Sequence, residues 1–329
     1  MALDVIINGP GFGETIILRW HSDRGYRAAL IDCHAPANGE FLLNWLRELG
    51  IDTLEFIAIT NPDLDHIYNA DRILCAFAGR VGQLIWWGGL EASSYVIYFQ
   101  KLARSLVPSS HELVARADNL VRLFAERKRQ FRTYGRPTLV TPLGVQSLYS
   151  TDSLSILSLA PWSEQLFSAA RTVVDSIVPG NRPTHFRSES ISLGFLVRYG
   201  QAQIVLGGNM TDAAWSTLLN SETCPQINAH AVKVSMHGAV TRMSAGLWTR
   251  AGFLNSGTHP VAVVTPYSTT LPNREVIEEI VGSGSKVYVT GQQIGNQRTR
   301  PWKSFVHLRF ESDGRAAVVE TASNVSLFG

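Results

Sequence analysis

The sequence predicts an α/β protein of one domain, an αββα sandwich in which two mixed sheets pack face to face and helices lie outside. The 329 residues are 45% apolar and 17% charged, against about 25% charged in an average globular protein, so the chain can bury a large core. Strands followed by strand-helix alternation occur twice, which is typical of two sheets that share one core. No repeat or low-complexity linker divides residues 1–329.

The first half begins with apolar, β-branched runs that glycine-rich or charged turns separate, and such runs predict neighbouring strands. A helix is predicted from Asn38 to Gly50, because an N-cap residue, apolar residues at helical spacing and a C-terminal glycine follow one another. The stretch 91–135 has the longest helical spacing in the chain and predicts a helical insertion. The other predicted elements are strands at 3–8, 15–20, 28–33, 54–60 and 83–87 and a helix at 67–77.

After Pro137 the sequence returns to strands, and a tight turn at 199–201 predicts a hairpin. Helices are predicted near Trp215, around Leu247 and from Asn273 to Val281. The predicted strands are 138–143, 153–160, 191–199, 202–208, 231–236, 261–267, 286–291 and a closing pair near 304–320.

The glycine cluster near the N-terminus raises the alternative of an open dinucleotide-binding sheet. Gly9, Gly11 and Gly13 have a GxGxG spacing and lead into another strand, whereas that fold needs GxGxxG between a strand and a helix. The cluster is therefore predicted to be a turn.

Charge, cysteine content and hydropathy exclude several classes of protein. The chain has 29 Lys+Arg and 27 Asp+Glu, a net charge of +2, so nucleic-acid binding would depend on a local patch. Three widely spaced cysteines argue against a disulfide framework or a zinc ribbon. Neither a secretory signal nor a long apolar run is present, so we expect a cytoplasmic protein without a membrane partner.

The densest polar cluster is Asn61-Pro62-Asp63-Leu64-Asp65-His66, directly after a predicted buried strand. Carboxylates and an imidazole on a tight loop can converge on one point, as metal ligands do. The alternative is that Asp63, Asp65 and His66 cap the helix that follows, since aspartate stabilises a helix N-terminus without any ligand. Asn209, which precedes another predicted helix, has the same alternative.

The segment TNPDLDH resembles the THxHxDH signature of the metallo-β-lactamase fold, and more closely the THPDxDH version of the ComEC-like competence branch. Four further segments resemble that family in the same order: INGPGFGETIIL with LID, ISLGFLVRYGQAQIVLGGN, AVKVSMHGAV, and the stretch from VAVVTPY to VYVTG. The resemblance implies a metallo-β-lactamase-like αββα sandwich.

The resemblance also implies a metal site, because family enzymes hold one or two divalent ions, usually zinc, and hydrolyse phosphodiesters, thioesters or amides. It places retained ligands at Asp63, Asp65, His66 and His237. Four other ligand positions hold residues that suit a metal poorly, so the site resembles a degenerate one: Asn61, Asn209, Met236 and Leu271. A dinuclear site is not expected, and the cofactor would be either none or one divalent metal, zinc or manganese. In an active enzyme, Asp65 would accept a proton from water and His66 would bind the metal.

A basic stretch lies within the long helical segment and could bind phosphates beside aromatic residues. Its members are Arg127, Lys128, Arg129 and Arg132. The alternative is the solvated side of an amphipathic helix.

Three functional hypotheses follow. In the first, the chain is a degenerate family member that lacks a dinuclear site and binds a partner protein or nucleic acid. In the second, it is a mononuclear metal-dependent hydrolase acting on a phosphodiester. In the third, it is a structural homo-oligomer that uses some of its eight tryptophans at interfaces, where tryptophan is enriched.

Overall fold

The computed structural model describes residues 2–22, 25–34, 39–105, 110–239, 259–267, 271–291 and 303–329. Within these ranges the strands form two sheets. The strands of the first sheet are β1 (Ala2–Asn8), β2 (Thr15–Ser22), β3 (Gly25–Ile31), β4 (Leu54–Ile59), β5 (Val81–Trp86), β6 (Thr138–Val140), β14 (Phe305–Glu311) and β15 (Ala316–Thr321). The strands of the second sheet are β7 (Gln146–Ser150), β8 (Leu154–Ala160), β9 (Gly194–Tyr199), β10 (Ala202–Leu206), β11 (Ala231–Lys233), β12 (Val261–Val264), β13 (Val287–Val289) and β16 (Ser326–Phe328).

The order of strands is β15-β14-β1-β2-β3-β4-β5-β6 in one sheet and β16-β13-β12-β11-β10-β9-β8-β7 in the other. Each sheet is mixed: β3 to β6 run parallel, as do β10 to β13, and antiparallel strands flank both groups. The predicted metallo-β-lactamase-like αββα sandwich is therefore confirmed.

The helices lie outside the sheets, and several of them are short. They are α1 (Glu40–Glu48), α2 (Leu64–Ile67), α3 (Ala70–Ala76), α4 (Ala92–Ser105), α5 (Ser110–Tyr134), α6 (Ser163–Ile177), α7 (Asp212–Leu219) and α8 (Arg274–Gly282). The predicted helical stretch 91–135 consists of α4 and α5, which pack against each other. Its description as an insertion in a single domain stays a prediction. Among the described helices, none is long and apolar enough to cross a membrane.

The main core lies between the two sheets, and a second apolar cluster packs α7 and α8 against the second sheet. Full burial of a Val, Leu, Ile or Phe side chain is worth about 1.5–3 kcal/mol, so this double core dominates the favourable free energy of folding. Most of the described tryptophans contribute to the core rather than to the surface: Trp20, Trp45, Trp86, Trp87 and Trp215 are buried. The interface role that the homo-oligomer hypothesis gives to tryptophan is thus not available to these five.

Several sequence-based boundaries were wrong. The strand predicted at 191–199 begins only at Gly194, because Ser188–Ile191 forms a 3-10 turn. Helix α6 was not predicted, although its buried residues Leu166, Ala169 and Val173 have helical spacing. The helix predicted around Leu247 lies outside the described residues.

The strand directions bring functional residues together. Asp32 follows β3 and Thr60 follows β4, so both lie at the carboxyl ends of parallel strands. His237 and Thr265 come after β11 and β12, at the same kind of edge in the second sheet. Because the two edges face each other, side chains from distant parts of the sequence meet there.

The glycine turn is confirmed by its backbone. Gly13 has a φ of 79°, in the left-handed region, and a Cβ there would lie 2.0 Å from Cγ of His34. Glycine is therefore required at this position, immediately before Glu14, whose side chain is buried.

Candidate metal centre

Two imidazoles and one carboxylate converge at the facing edges of the sheets. His66 Nε2 and His237 Nε2 each lie 3.2 Å from Oδ2 of Asp65. All three side chains are buried, and their ligand atoms lie within 4.8 Å of one another. Of the four ligands that the resemblance retains, the structure thus brings together Asp65, His66 and His237.

The orientation of the His66 ring is fixed at Nδ1, the nitrogen that faces away from Asp65. Its Nδ1 lies 2.8 Å from Oδ2 of Asp32, and Asp32 in turn accepts hydrogen bonds from Thr60 Oγ1 at 2.7 Å and from the Thr60 backbone N–H at 2.8 Å. A proton on Nδ1 is held by this carboxylate, so Nε2 is the nitrogen that faces Asp65. Metal-binding histidines in proteins have the same kind of outer partner.

The orientation of His237 is set by a backbone carbonyl. Its Nδ1 lies 2.8 Å from the carbonyl oxygen of Thr265, which can only accept, so Nδ1 carries the proton. His237 has a φ of 56°, and its neighbour Met236 has a φ of 50°; both are uncommon for residues other than glycine. Such backbone strain costs about 1–3 kcal/mol per residue and is concentrated at functional sites.

These residues fit a single metal ion. Zinc binds histidine nitrogen at about 2.0–2.1 Å, and the ligands of a tetrahedral site with such bonds are about 3.3 Å apart, close to the two 3.2 Å separations. His237 Nε2 is buried and, within the described part of the chain, has no hydrogen-bond partner, although Asp65 Oδ2 lies 3.2 Å away. A buried nitrogen without a partner is costly unless a ligand completes it.

Asn209, after β10, contributes an amide at the same point. Its Nδ2 lies 2.9 Å from His66 Nε2, and its Oδ1 is buried without a partner among the described residues. The amide oxygen is therefore available as a neutral metal ligand, but it cannot supply the charge with which an aspartate bridges two cations. The helix-start alternative for Asn209 is wrong, because Thr211 is the N-cap of α7 and accepts from the Ala214 N–H.

A buried ion pair lies beneath the histidines. Lys233 Nζ is 2.8 Å and 2.6 Å from the two carboxylate oxygens of Glu14, and both side chains are inaccessible to solvent. Thr265 Oγ1 also donates to Glu14, at 2.7 Å. Glu14, Asp32 and His66 form a second group with metal-ligand spacing, but the Lys233 ammonium already supplies a positive charge there.

The charges of this buried cluster perturb one another. Burial alone would raise the pKa of Glu14, but Lys233, His237 and His66 lower it to about 2. Burial would likewise raise the pKa of Asp65, whereas His66 and His237 hold it well below its usual value. For His66, burial favours the neutral form, but Asp65 and Asp32 outweigh it and raise the pKa well above the ordinary value. The described cluster contains the carboxylates of Glu14, Asp32 and Asp65 but one buried lysine, Lys233. It therefore favours a further positive charge, either protons on the histidines or a metal ion.

Asp63, which the resemblance gives as a metal ligand, makes contacts of its own in the structure. Its carboxylate forms an ion pair with Arg116 and accepts from Ser188 Oγ at 3.0 Å and 2.8 Å. It is the N-cap residue of α2, but its side chain makes no capping hydrogen bond, so helix capping does not explain it. Burial raises the pKa of Asp63 to about 6, although Arg116 acts in the opposite direction. Asp63 is outside the group of converging ligand atoms and lies on the cavity wall.

A cavity of about 280 Å³ opens beside the three ligands. Both polar and apolar residues line it. The lining residues are Asp63, Asp65, Arg116, His185, Ser188, Glu189, Asn209, Met236, His237, Ala239, Tyr267 and Leu271. Met236 and Leu271, at two of the ligand positions that the resemblance marks as degenerate, therefore line the cavity. Asn61, at a third such position, is buried and accepts from the Asp63 N–H at 3.1 Å.

The basic stretch lies on α5, further along the same helix as Arg116. At about 1.5 Å per residue, Arg127 and Arg132 are roughly 16 Å and 24 Å along the helix from Arg116. Arg127 donates to the carbonyl of Pro137 at 3.2 Å, and Arg129 binds Glu126, while Lys128 and Arg132 are exposed. Two of the four predicted phosphate-binding residues are thus engaged within the chain.

Sequence reasoning missed the residues that surround the ligands, above all Glu14, Lys233, Arg116 and Thr265. One signal was available for Lys233, because a lysine between valines in a buried strand needs a partner of opposite charge. The identity of that partner, 219 residues away, has no local signal.

Comparisons with known proteins give similarities in fold at low identity. No family model matches the chain, and no curated protein matches it. Zn²⁺-bound PqqB from Methylobacterium extorquens is 10% identical, with 86% of this chain and 97% of that chain covered and a TM-score of 0.42. The short form of human tRNase Z is 10% identical, with 80% and 93% covered and a TM-score of 0.39.

A variant of the CmlA β-hydroxylase is 15% identical over 87% of this chain, with a TM-score of 0.40. This chain spans only 45% of the length of that protein. At such identities the similarities indicate neither a substrate nor a metal for this chain.

Proposed function

We propose that the chain is a hydrolase that uses one divalent metal ion, held by Asp65, His66 and His237. The observation that supports the proposal is that Nε2 of His66 and Nε2 of His237 each lie 3.2 Å from Asp65 Oδ2. The other ring nitrogen, Nδ1, faces the Asp32 carboxylate in His66 and the Thr265 carbonyl in His237. Of the three sequence-based hypotheses, this geometry supports the mononuclear one best. Membership of the ComEC-like branch stays a prediction.

The bound ion would supply Lewis acidity, which polarises a carbonyl or phosphoryl group and makes water a stronger acid. The protein's own residues would do the rest. Asp65 lines the cavity, and the carboxylate oxygen that does not hold the ion would be placed to accept a proton from water. His66 and His237 are held by Asp32 and Thr265, so little reorganisation is needed when the ligands assemble.

Zinc titration of chelator-treated protein tests the metal site. We expect about one zinc per chain in the unmodified protein and loss of zinc in His66→Ala and His237→Ala. His185→Ala is a matched control, because His185 lines the same cavity but lies outside the converging group. Absence of zinc binding by the unmodified protein, or an equal loss in the control, would contradict the proposal.

Activity is tested separately with one carboxylic ester, 4-nitrophenyl acetate, and one phosphodiester, bis(4-nitrophenyl) phosphate. We expect zinc-dependent hydrolysis of at least one of them, abolished in Asp65→Asn and retained in His185→Ala. Zinc binding without hydrolysis of either substrate would support the binding-protein hypothesis instead.

A further inference from the structure

We propose that helices α4 and α6 form a surface on which a second copy of this chain docks, so that the protein forms a symmetric dimer. The surface consists of Ile97 on α4, Phe167 and Val174 on α6, and Val178 at the end of α6. We call these four residues the α4–α6 patch. None of them lines the cavity or belongs to the converging ligands, so the inference is independent of the proposed function.

The α4–α6 patch begins with Phe167, which is 77% exposed. No other large apolar residue in the described part of the chain is as exposed. Val174 and Val178, each 43% exposed, follow Phe167 by seven and eleven residues, so the three side chains form one stripe along the outer face of α6. Exposed apolar surface that is continuous and not scattered is typical of protein interfaces.

Helix α4 extends the stripe, because it packs beside α6 and runs in the same direction. Lys101 Nζ donates to the Val178 carbonyl at 2.7 Å, at the end of α6. A Cβ at Gly89, just before α4, would lie 3.6 Å from Cβ of Leu166, near the start of α6. Ile97 is four residues before Lys101, so it lies on the same side of α4, towards α6. Ile97 is 50% exposed and therefore adds apolar surface beside the stripe.

The charges beside the stripe are complementary to themselves under a two-fold rotation. Arg171 and Asp175 are both largely exposed and carry opposite charges. In an antiparallel pair of α6 helices with the two-fold axis level with Val173, Arg171 lies near Asp175 of the second copy, because Val173 is midway between them. The same axis places Phe167 near Val178 of the second copy, so it satisfies the charged and the apolar positions together, as an isologous contact requires.

Charge and size also favour a second copy over other occupants. The positive charge of Arg171 and the negative charge of Asp175 cancel, so this pair supplies no charge excess that would attract a nucleic acid. The chain has a net charge of +2, so two copies repel each other only weakly. Helix α6 has 15 residues and is about 22 Å long, which places the contact at the small end of specific interfaces. We therefore expect a dimer with a Kd of roughly 10 µM.

Sedimentation equilibrium of the full chain at about 1 to 100 µM tests the dimer. We expect the weight-average mass to rise from that of one chain towards that of two chains over this range. Phe167→Asp places a carboxylate in the apolar contact and should weaken association about 100-fold, which leaves the variant largely monomeric. Phe131→Asp is the matched control and should leave the Kd unchanged, because Phe131 is also exposed on a long helix, α5, but is not part of the patch.

The two-fold arrangement is tested by exchanging the charges. Arg171→Glu brings like charges together across the axis, and so does Asp175→Arg. Each contact occurs twice in a symmetric dimer, so each single variant should weaken association about tenfold. The double variant Arg171→Glu with Asp175→Arg restores opposite charges and should return the Kd to within about threefold of that of the unmodified protein. These differences should shrink in about 0.5 M sodium chloride, because exposed charges are screened.

The outcomes distinguish this dimer from other contacts. Dimers that are lost in Phe167→Asp, kept in Phe131→Asp and recovered in the double charge variant support the α4–α6 patch. A chain that stays monomeric up to about 100 µM, or dimers that persist in Phe167→Asp, overturn it. Unchanged association in the single charge variants, or no recovery in the double variant, overturns the antiparallel arrangement. Equal urea midpoints show that the variants are folded alike, and zinc binding is measured separately, so the dimer and the proposed function can fail independently.

Discussion

Lys233 donates from Nζ to both carboxylate oxygens of Glu14, although 219 residues separate them in the sequence. Glu14 immediately precedes β2 of the first sheet, and Lys233 ends β11 of the second. The ion pair therefore joins the two sheets directly beneath His66 and His237. Its charges are inaccessible to solvent, so neither partner can be removed without leaving the other unpaired.

Lys233→Met should lower the free energy of unfolding by about 3–5 kcal/mol, because it leaves the Glu14 carboxylate buried without its counter-charge. Urea denaturation followed by circular dichroism measures this loss. The double variant Glu14→Gln with Lys233→Met removes both charges, and we expect it to recover part of the stability. A loss below about 1 kcal/mol in the single variant would show that Glu14 finds another partner or becomes protonated.

Asp32→Asn should weaken zinc binding by about tenfold to a hundredfold while the three ligands stay in place. The reason is that an amide holds the Nδ1 proton of His66 less firmly than a carboxylate does. Asparagine tolerates the left-handed backbone of Asp32, whose φ is 58°, so the turn itself should persist. Competition with a zinc-binding dye gives the affinity, and unchanged binding would count against a positioning role for Asp32.

Asp63→Asn should leave zinc affinity within about threefold of the unmodified protein, because Asp63 is outside the converging ligand atoms. The same change removes the ion pair with Arg116, so the free energy of unfolding should fall by about 1–2 kcal/mol. His237→Ala, measured side by side, should lose zinc. Loss of zinc in Asp63→Asn would show instead that Asp63 is a ligand, as the resemblance implies.

Asp4 should contribute stability that is lost only in strong acid. Burial raises its pKa, but hydrogen bonds and attraction from His307 and Arg309 lower it from 3.8 to about 2 in the folded chain. Because the folded pKa is the lower one, this stability is fully present above about pH 4 and disappears as the pH falls through about 2.

Asp4→Asn should therefore cost about 1–2 kcal/mol at pH 7, and the difference from the unmodified protein should shrink between about pH 4 and pH 2. Urea denaturation at a series of pH values measures the difference. Asp152→Asn, at an exposed position, serves as the control and should show no such pH dependence. A constant difference over this range would mean that Asp4 acts through packing and not through its charge.

Local sequence patterns predicted many of the helices and strands. Apolar, β-branched runs predicted β1 to β5 to within a few residues. Helix α1 was predicted as well, but its N-cap is Gly39 and not Asn38, whereas α8 begins directly after Asn273 as predicted. The pattern failed where backbone geometry and not side-chain character set the boundary, as at the 3-10 turn of Ser188–Ile191. Period and capping are local properties, so a single sequence expresses them directly.

The sequence by itself determined the sandwich and the polar loop that carries Asp65 and His66. Only the tertiary structure decided which candidates meet. It placed His237 beside Asp65, turned Asp63 towards Arg116, and paired Glu14 with Lys233. The physical reason is that ligand geometry depends on distances of a few ångströms between strand ends, and those distances are set by how two sheets pack.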